Sequence, residues 1–277
     1  MRVLIAGCGY VGNAAARLFA ADNHDVSGWR RDASASSPAV GIALSSVDVS
    51  DAAAVLHHAF PADVVVHCAS SGGGDADAYR AVYYQGAVNL LRAFPRARFL
   101  FTSSTSVYAQ SDGSWVSETS PTLPQRETGR ILRETEELVL QRDGVVLRLG
   151  GIYGPGRSAL LRAMREGTAA MSDEDHYVNQ VHRDDIASAI VLLALARDLP
   201  TPRVFNVVDH TPALRNEIIS WLASYLQIPL SSEAAEPASR RRGRSNKRVS
   251  NARLRALGWK PVFPSYREAF LHSILAA

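Results

Sequence analysis

The first twelve residues, MRVLIAGCGYVG, constrain the fold of this chain more than any other stretch. The apolar run RVLIAG reads as a strand and passes through Gly7-x-Gly9-x-x-Gly12 into the Ala-rich, helix-like NAAARLFAAD. In that context the glycines have separate tasks: a tight turn at the first, close approach of backbone to a pyrophosphate at the second, and close helix–strand packing at the third. The opening of the helix then faces the negative charge. Gly7, Gly9, Tyr10, Val11 and Gly12 are therefore the first expected cofactor-binding residues. A tight turn that holds no ligand is the alternative.

The remaining chain keeps the same rhythm. After DVSGWR come VGIALSSVD, the helix-like AAAVLHHAF, VVVHCAS, the helix-like AYRAVYYQGAVNLLRAF and ARFLFTSS. VVVH and FLFT are continuously apolar, as central strands covered on both faces are. This order predicts an α/β fold built on a doubly wound parallel sheet, the Rossmann arrangement, with right-handed crossovers. Residues 1–155, rejoined by about 181–209, are expected to form the dinucleotide-binding domain. Residues 156–180 and 210–277 are expected to form a smaller C-terminal substrate lobe over the carboxyl ends of the strands, where open α/β sheets bind ligands. With 277 residues, 47% of them hydrophobic, the chain can bury a core of that size.

The second strand carries the cofactor preference. An NAD binder usually ends this strand with a carboxylate that holds the ribose 2′-hydroxyl. Here the end reads Ser27-Gly28-Trp29-Arg30-Arg31. A carboxylate would repel a 2′-phosphate, whereas Arg pairs with one bidentately. Arg30 and Arg31 therefore predict NADP(H) in preference to NAD(H), with two surface arginines as the alternative. Asp48 is expected either at the adenine amino group or as a helix cap near Ser50 and Asp51. Ala69 and Ser70 open the glycine-rich SSGGGDAD and complete the expected cofactor set.

The N-terminal glycines, VVVHCAS, GAVNLLRAF, FTSSTSVY, LRLGGIYGPGR, VHRDDIA, VFNVVD and LGWKP together resemble the extended and atypical short-chain dehydrogenases/reductases, in particular the NAD-dependent epimerase/dehydratase group. The resemblance runs through nearly the whole chain. It implies a hydride-transferring site in which Ser or Thr orients the substrate oxygen, a Tyr-x-x-x-Lys pair supplies the proton, and Asn on the preceding helix completes the set. Carried over residue by residue, the hydroxyl falls on Ser104, the Asn position on Tyr83, and the Tyr and Lys positions on Thr128 and Leu132. Glu136 and Glu137 still fit the helix that bears the pair. A Thr hydroxyl is too weakly acidic to replace an activated phenol, and Leu tunes nothing electrostatically. The short GxGxxG, in place of the extended GxxGxxG, also points to the atypical branch.

Other residues are candidates for the lost chemistry. Tyr153, in IYGPG, is the candidate replacement acid, with a tyrosine of the pocket wall as the alternative reading. His182, in VHRDD, is the residue type suited to proton transfer near neutrality, and Asp184 or Asp185 is expected to cap the helix that follows. Asn179 and Arg244 are expected on the substrate side together with Tyr83 and Ser104. The run Arg240, Arg241, Arg242, Arg244, Lys247 and Arg248 reads first as a solvated loop, then as a site for an anionic small molecule. Nucleic acid is not expected as a partner, and a homodimer is compatible with the chain. His67 and Cys68 have no second cluster at metal-ligand spacing, so no metal is expected. Cys8 and Cys68 suggest free thiols in a reducing cytoplasm. No signal peptide is expected, and no apolar run approaches the roughly 20 residues that span a bilayer. These readings converge on an NADP(H)-dependent oxidoreductase, or an epimerase/dehydratase-like enzyme, with a non-standard site for a small polar, anionic substrate. A non-catalytic NADP(H)-binding redox sensor or regulator is the competing reading.

Overall fold

The structure is a computed structural model that describes residues 1–34, 42–230 and 245–275. Its first half contains β1 (Arg2–Ala6), α1 (Tyr10–Ala21), β2 (Asp25–Arg30), β3 (Ile42–Ser46), α2 (Ala52–His57), β4 (Val64–His67), α3 (Ala76–Tyr79), a π-helical turn (Arg80–Gln85), α4 (Gly86–Ala93) and β5 (Arg98–Ser104). Then come a 3-10 turn (Thr105–Val107), β6 (Trp115–Val116), α5 (Glu127–Leu140), β7 (Val145–Leu149), β8 (Gly151–Tyr153) and α6 (Ala159–Arg165). The last part holds β9 (Tyr177–Val178), β10 (Gln180–His182), α7 (Arg183–Leu195), β11 (Val204–Val207), β12 (Ala213–Leu214), α8 (Arg215–Leu226), β13 (Arg248–Val249), α9 (Ala252–Arg255) and α10 (Tyr266–Ala269).

Seven strands form one parallel sheet in the order β3-β2-β1-β4-β5-β7-β11. This is the doubly wound arrangement that the alternating pattern predicts. All four residues of β4 and all five of β7 are buried, because helices cover both faces. On one face Ala15, Ala16 and Phe19 of α1 share a core with Ile186, Ala187 and Ile190 of α7. The alanines of α1 let the two helices approach closely. On the other face Leu90 and Leu91 of α4 share a core with Leu132 and Val139 of α5.

A third core joins Leu161 and Met164 of α6, Ile218 and Leu222 of α8, and Tyr266 and Phe270 near the C-terminus. These side chains form a core of their own, apart from the two that flank the sheet. Within 210–277, residues 248–259 pack apart from this third core. β13 pairs with β6, while Leu254 and Trp259 enter the core beneath α1 and α7. A short apolar motif such as LGW does not disclose which of two neighbouring cores it joins.

Candidate cofactor and substrate site

The strand order reverses between β1 and β4, and the turns leaving these two strands meet there. Gly7 and Cys8 both donate their N–H to the Trp29 carbonyl at 2.8 Å, and Gly9 donates to the Gly7 carbonyl at 2.7 Å. Gly7 has a φ of +101°, and a Cβ there would sit 2.1 Å from the Ala69 nitrogen. A Cβ on Gly12 would lie 2.4 Å from the Gly7 carbonyl oxygen. Around Gly9 the situation is opposite: an added Cβ meets only the Gly7 oxygen, at 4.0 Å. Two glycines are thus required by packing, and the middle one opens onto free space in front of α1. No side chain caps that helix, and no acidic residue stands in its first turn. These features fit a dinucleotide's diphosphate.

Tyr10 ties this turn to the far side of the crevice. Its hydroxyl donates to the Pro155 carbonyl at 3.0 Å, and its ring lies 5.4 Å from the Arg157 guanidinium and 5.0 Å from that of Arg183. Burial raises the phenol's pKa. Val11 is half-buried against the core under α1. Arg30 ends β2 opposite Ser46, and the exposed Arg31 follows it. Burial pushes the Cys8 thiol up, and the charge of Arg30 partly offsets that. Asp48 accepts from the Ser50 N–H and hydroxyl through Oδ1, at 2.9 and 2.7 Å, while the cap of α2 is Asp51. Ala69 packs under Gly7, and the exposed Ser70 hydroxyl accepts from the Gly72 N–H and the Tyr83 hydroxyl.

The opposite wall comprises β5, α5 and the π-turn. Ser104 is half-buried and caps the 3-10 turn, accepting from the Ser106 N–H at 3.1 Å. Tyr83 sits in the π-turn, and its ring is 6.3 Å from that of Phe101. The wider turn leaves its carbonyls to another donor, and His67 Nε2 meets the Tyr83 oxygen at 3.3 Å. Burial pushes the pKa of His67 down to about 4, so its imidazole is neutral. Thr128 is half-buried, and Leu132, only 4% exposed, belongs to the apolar core that Tyr83 packs against. Glu136 holds α5 to the sheet through Arg148, at 2.7 and 3.0 Å, and Arg148 in turn donates to the Tyr108 hydroxyl. Ser103 donates to Glu136 and Tyr108 to Asn206, so this buried network is extensively bonded.

Several expectations need correction. The Tyr153 hydroxyl is buried without a hydrogen-bond partner, and burial together with the nearby Asp209 raises its pKa; it packs against the rings of His182 and Phe270. His182, rather than Asp184 or Asp185, caps α7, accepting from the Asp184 N–H through Nδ1, while Nε2 meets Ser273. Burial lowers its pKa to about 4, and both nitrogens are engaged. Asp185 instead accepts from the Val262 and Phe263 N–H groups, which ties the lobe to α7. Asn179 spends its amide on backbone, donating to the Lys247 carbonyl and accepting from the Val249 N–H. Arg244, with Arg240, Arg241 and Arg242, lies outside the described residues. Among the described residues no cluster suits a metal, and no helix is long and apolar enough to cross a membrane. Arg157 and Arg183 were not singled out from sequence; only the folded crevice brings both to Tyr10.

A doubly wound sheet, a glycine turn at its switch point and a lobe above it define a dinucleotide-binding α/β protein of the extended short-chain dehydrogenase type. The model of the NAD dependent epimerase/dehydratase family matches residues 3–207, and the chain belongs to that family. Protein YeeZ of Escherichia coli K12 is 36% identical over 164 residues, 57% of this chain and 56% of YeeZ, so the match spans little more than half of either protein. A 3-diazoavenalumate denitrifying reductase from Streptomyces is 29% identical over 97% of this chain and 98% of its own length. Among solved structures, one from Methylobacillus flagellatus assigned to the NAD-dependent epimerases/dehydratases superposes with a TM-score of 0.82 at 31% identity, covering 99% of this chain and 97% of that one. The Thermus thermophilus UDP-glucose 4-epimerase complex with NAD shares the fold, with a TM-score of 0.80 at 21% identity, covering 97% of this chain and 96% of the epimerase.

Proposed function

We propose that this protein is an NADP(H)-dependent oxidoreductase, or epimerase/dehydratase-like enzyme, with a rewritten catalytic wall and a small polar, anionic substrate. The carrying observation is the open space at Gly9 before an uncapped α1, with Arg30 and Arg31 at the end of the neighbouring β2. Gly7, Gly9 and Gly12 would seat the diphosphate, and the two arginines would pair with a 2′-phosphate. The bound cofactor supplies hydride chemistry. Ser104 then positions the substrate's reacting oxygen or nitrogen, and the lobe excludes water. Holding two reactants in line accounts for much of a hydride-transfer rate, so the missing Tyr and Lys leave room for reduction. The Streptomyces relative, named as a reductase, supports this reading. The unpaired Cys8 and Cys68 suit a reducing, cytoplasmic setting.

A second reading has one specific observation in its favour. Leu132 and Tyr83 fill a common apolar core where the family keeps polar catalytic groups, as a non-catalytic NADP(H) sensor would allow. Calorimetric titration with NADPH and NADH tests the cofactor reading. Wild type should prefer NADPH, and Arg30→Ala with Arg31→Ala should weaken NADPH selectively; equal loss of both nucleotides would count against the arginines. Oxidation of NADPH across a panel of carbonyl and imine substrates then tests catalysis. Tight NADPH binding without turnover throughout that panel would favour the sensor.

A further inference from the structure

Lysine is nearly absent from this chain. Of 30 basic residues 28 are arginine, and the two lysines are Lys247 and Lys260. Lys247 is 3% exposed, and its Nζ donates to the Tyr108 carbonyl at 3.1 Å and to the Ser245 hydroxyl at 2.5 Å. An ammonium has three N–H groups, and the third has no acceptor among the described residues. No carboxylate among the described residues reaches it either. A buried charge without a counterion is destabilising and is rarely retained for stability alone.

The surroundings locate this amine at the seam between sheet domain and lobe. Asn246 joins residue 113 to residue 177: its carbonyl accepts from the Gly113 N–H and its Oδ1 from the Tyr177 N–H. Arg248 stacks between Trp115 and Tyr177, and Val249 donates to Asn179. Tyr108, which Nζ touches, closes the 3-10 turn that Ser104 opens.

We propose that Lys247 is the anchor for a carboxylate of the substrate, which supplies a counterion that none of the described residues provides, while Ser104 meets the reacting end. The proposal rests on the enzyme reading above and names the substrate class for it. A single unused N–H on a point charge suits a monoanionic carboxylate better than a phosphate, which favours several donors or an Arg fork. Burial alone lowers the pKa of Lys247, to about 8, as expected of an ammonium awaiting a partner.

The test uses whole protein carrying 15N-labelled lysine, whose two Nζ signals are assigned with Lys260→Arg. Benzoate is the probe, benzamide its uncharged counterpart, and each is titrated with and without NADPH. Benzoate should move the Lys247 signal and raise its pKa, benzamide should do neither, and Lys260 should stay still. Lys247→Met should weaken benzoate about tenfold, with Lys247→Arg recovering part of the loss. No response at Lys247, or an equal response to benzamide, overturns the anchor. NADPH binding is followed separately by its fluorescence. A protein that takes benzoate at Lys247 and ignores NADPH would instead sink the cofactor reading.

Discussion

The glycine turn and the face of α5 lie on opposite walls of one crevice, and they have kept different things. At the turn, function resides in backbone. Gly7 and Gly12 have no space for a side chain, so the loop that would receive a diphosphate is also the loop the fold requires. On α5 the facing side chains are the half-buried Thr128 and the buried Leu132, which contribute apolar packing. The helix keeps its place because Glu136, one turn beyond Leu132, pairs with Arg148 inside the core. Ligand-binding geometry that is inseparable from packing resists loss. Chemistry borne by side chains can be exchanged for apolar contact without moving the helix.

Breaking the anchor of α5 should have the largest effect. Glu136→Ala leaves Arg148 buried and unpaired, and thermal and denaturant unfolding should show a loss of about 3–5 kcal/mol. An unchanged stability would mean that something other than this pair positions α5. Gly7→Ala strikes the other wall: with its positive φ and a Cβ driven into Ala69, about 3 kcal/mol should be lost, together with NADPH binding. Leu132→Lys, which would supply the lysine that the proposed reading finds missing, should cost about 2 kcal/mol by placing an ammonium in an apolar core. A stable Leu132→Lys variant with raised NADPH oxidation would show that the wall is an active site merely disarmed.

Two smaller effects sharpen the contrast. His67 and His182 have folded pKa values near 4, below the ordinary 6.5, so both remove stability as pH falls from about 6.5 towards 4. Asp185, raised by burial to about 6, acts oppositely, because its protonated form is favoured in the fold as pH falls through 6. Asp185→Asn should therefore give a melting temperature that drops more steeply below pH 6 than that of wild type. An identical profile would remove Asp185 from the balance. Gly9→Ala should change stability least, by about 1 kcal/mol or less, since its Cβ meets open space. The same variant should weaken NADPH at least about tenfold, and unchanged affinity would argue that no diphosphate approaches Gly9.

Much of the crevice was legible because its signals are local. GxGxxG after an apolar run fixes a turn within a few residues, and VVVH and FLFT announce buried central strands by composition alone. For His182 the helix cap was not legible, because the same side chain suits proton transfer and only its partners, Asp184 and Ser273, reveal the cap. The same holds for Asn179, whose amide is bonded to the backbone of residues 247 and 249, far along the chain. Tyr153 carried no local sign that its hydroxyl would be enclosed without a partner.

Sequence by itself therefore determined the parallel sheet, the glycine turn and the family, since each is written in short-range periodicity or spacing. Tertiary structure alone decided which wall of the crevice is open at Gly9 and which is filled by Leu132. It also brought Arg157 and Arg183 to Tyr10 and set Lys247 beside Tyr108, 139 positions away along the chain. Contacts across such separations depend on how helices and strands pack, and burial, which decides whether a polar group is anchored or available, exists only once that packing is complete.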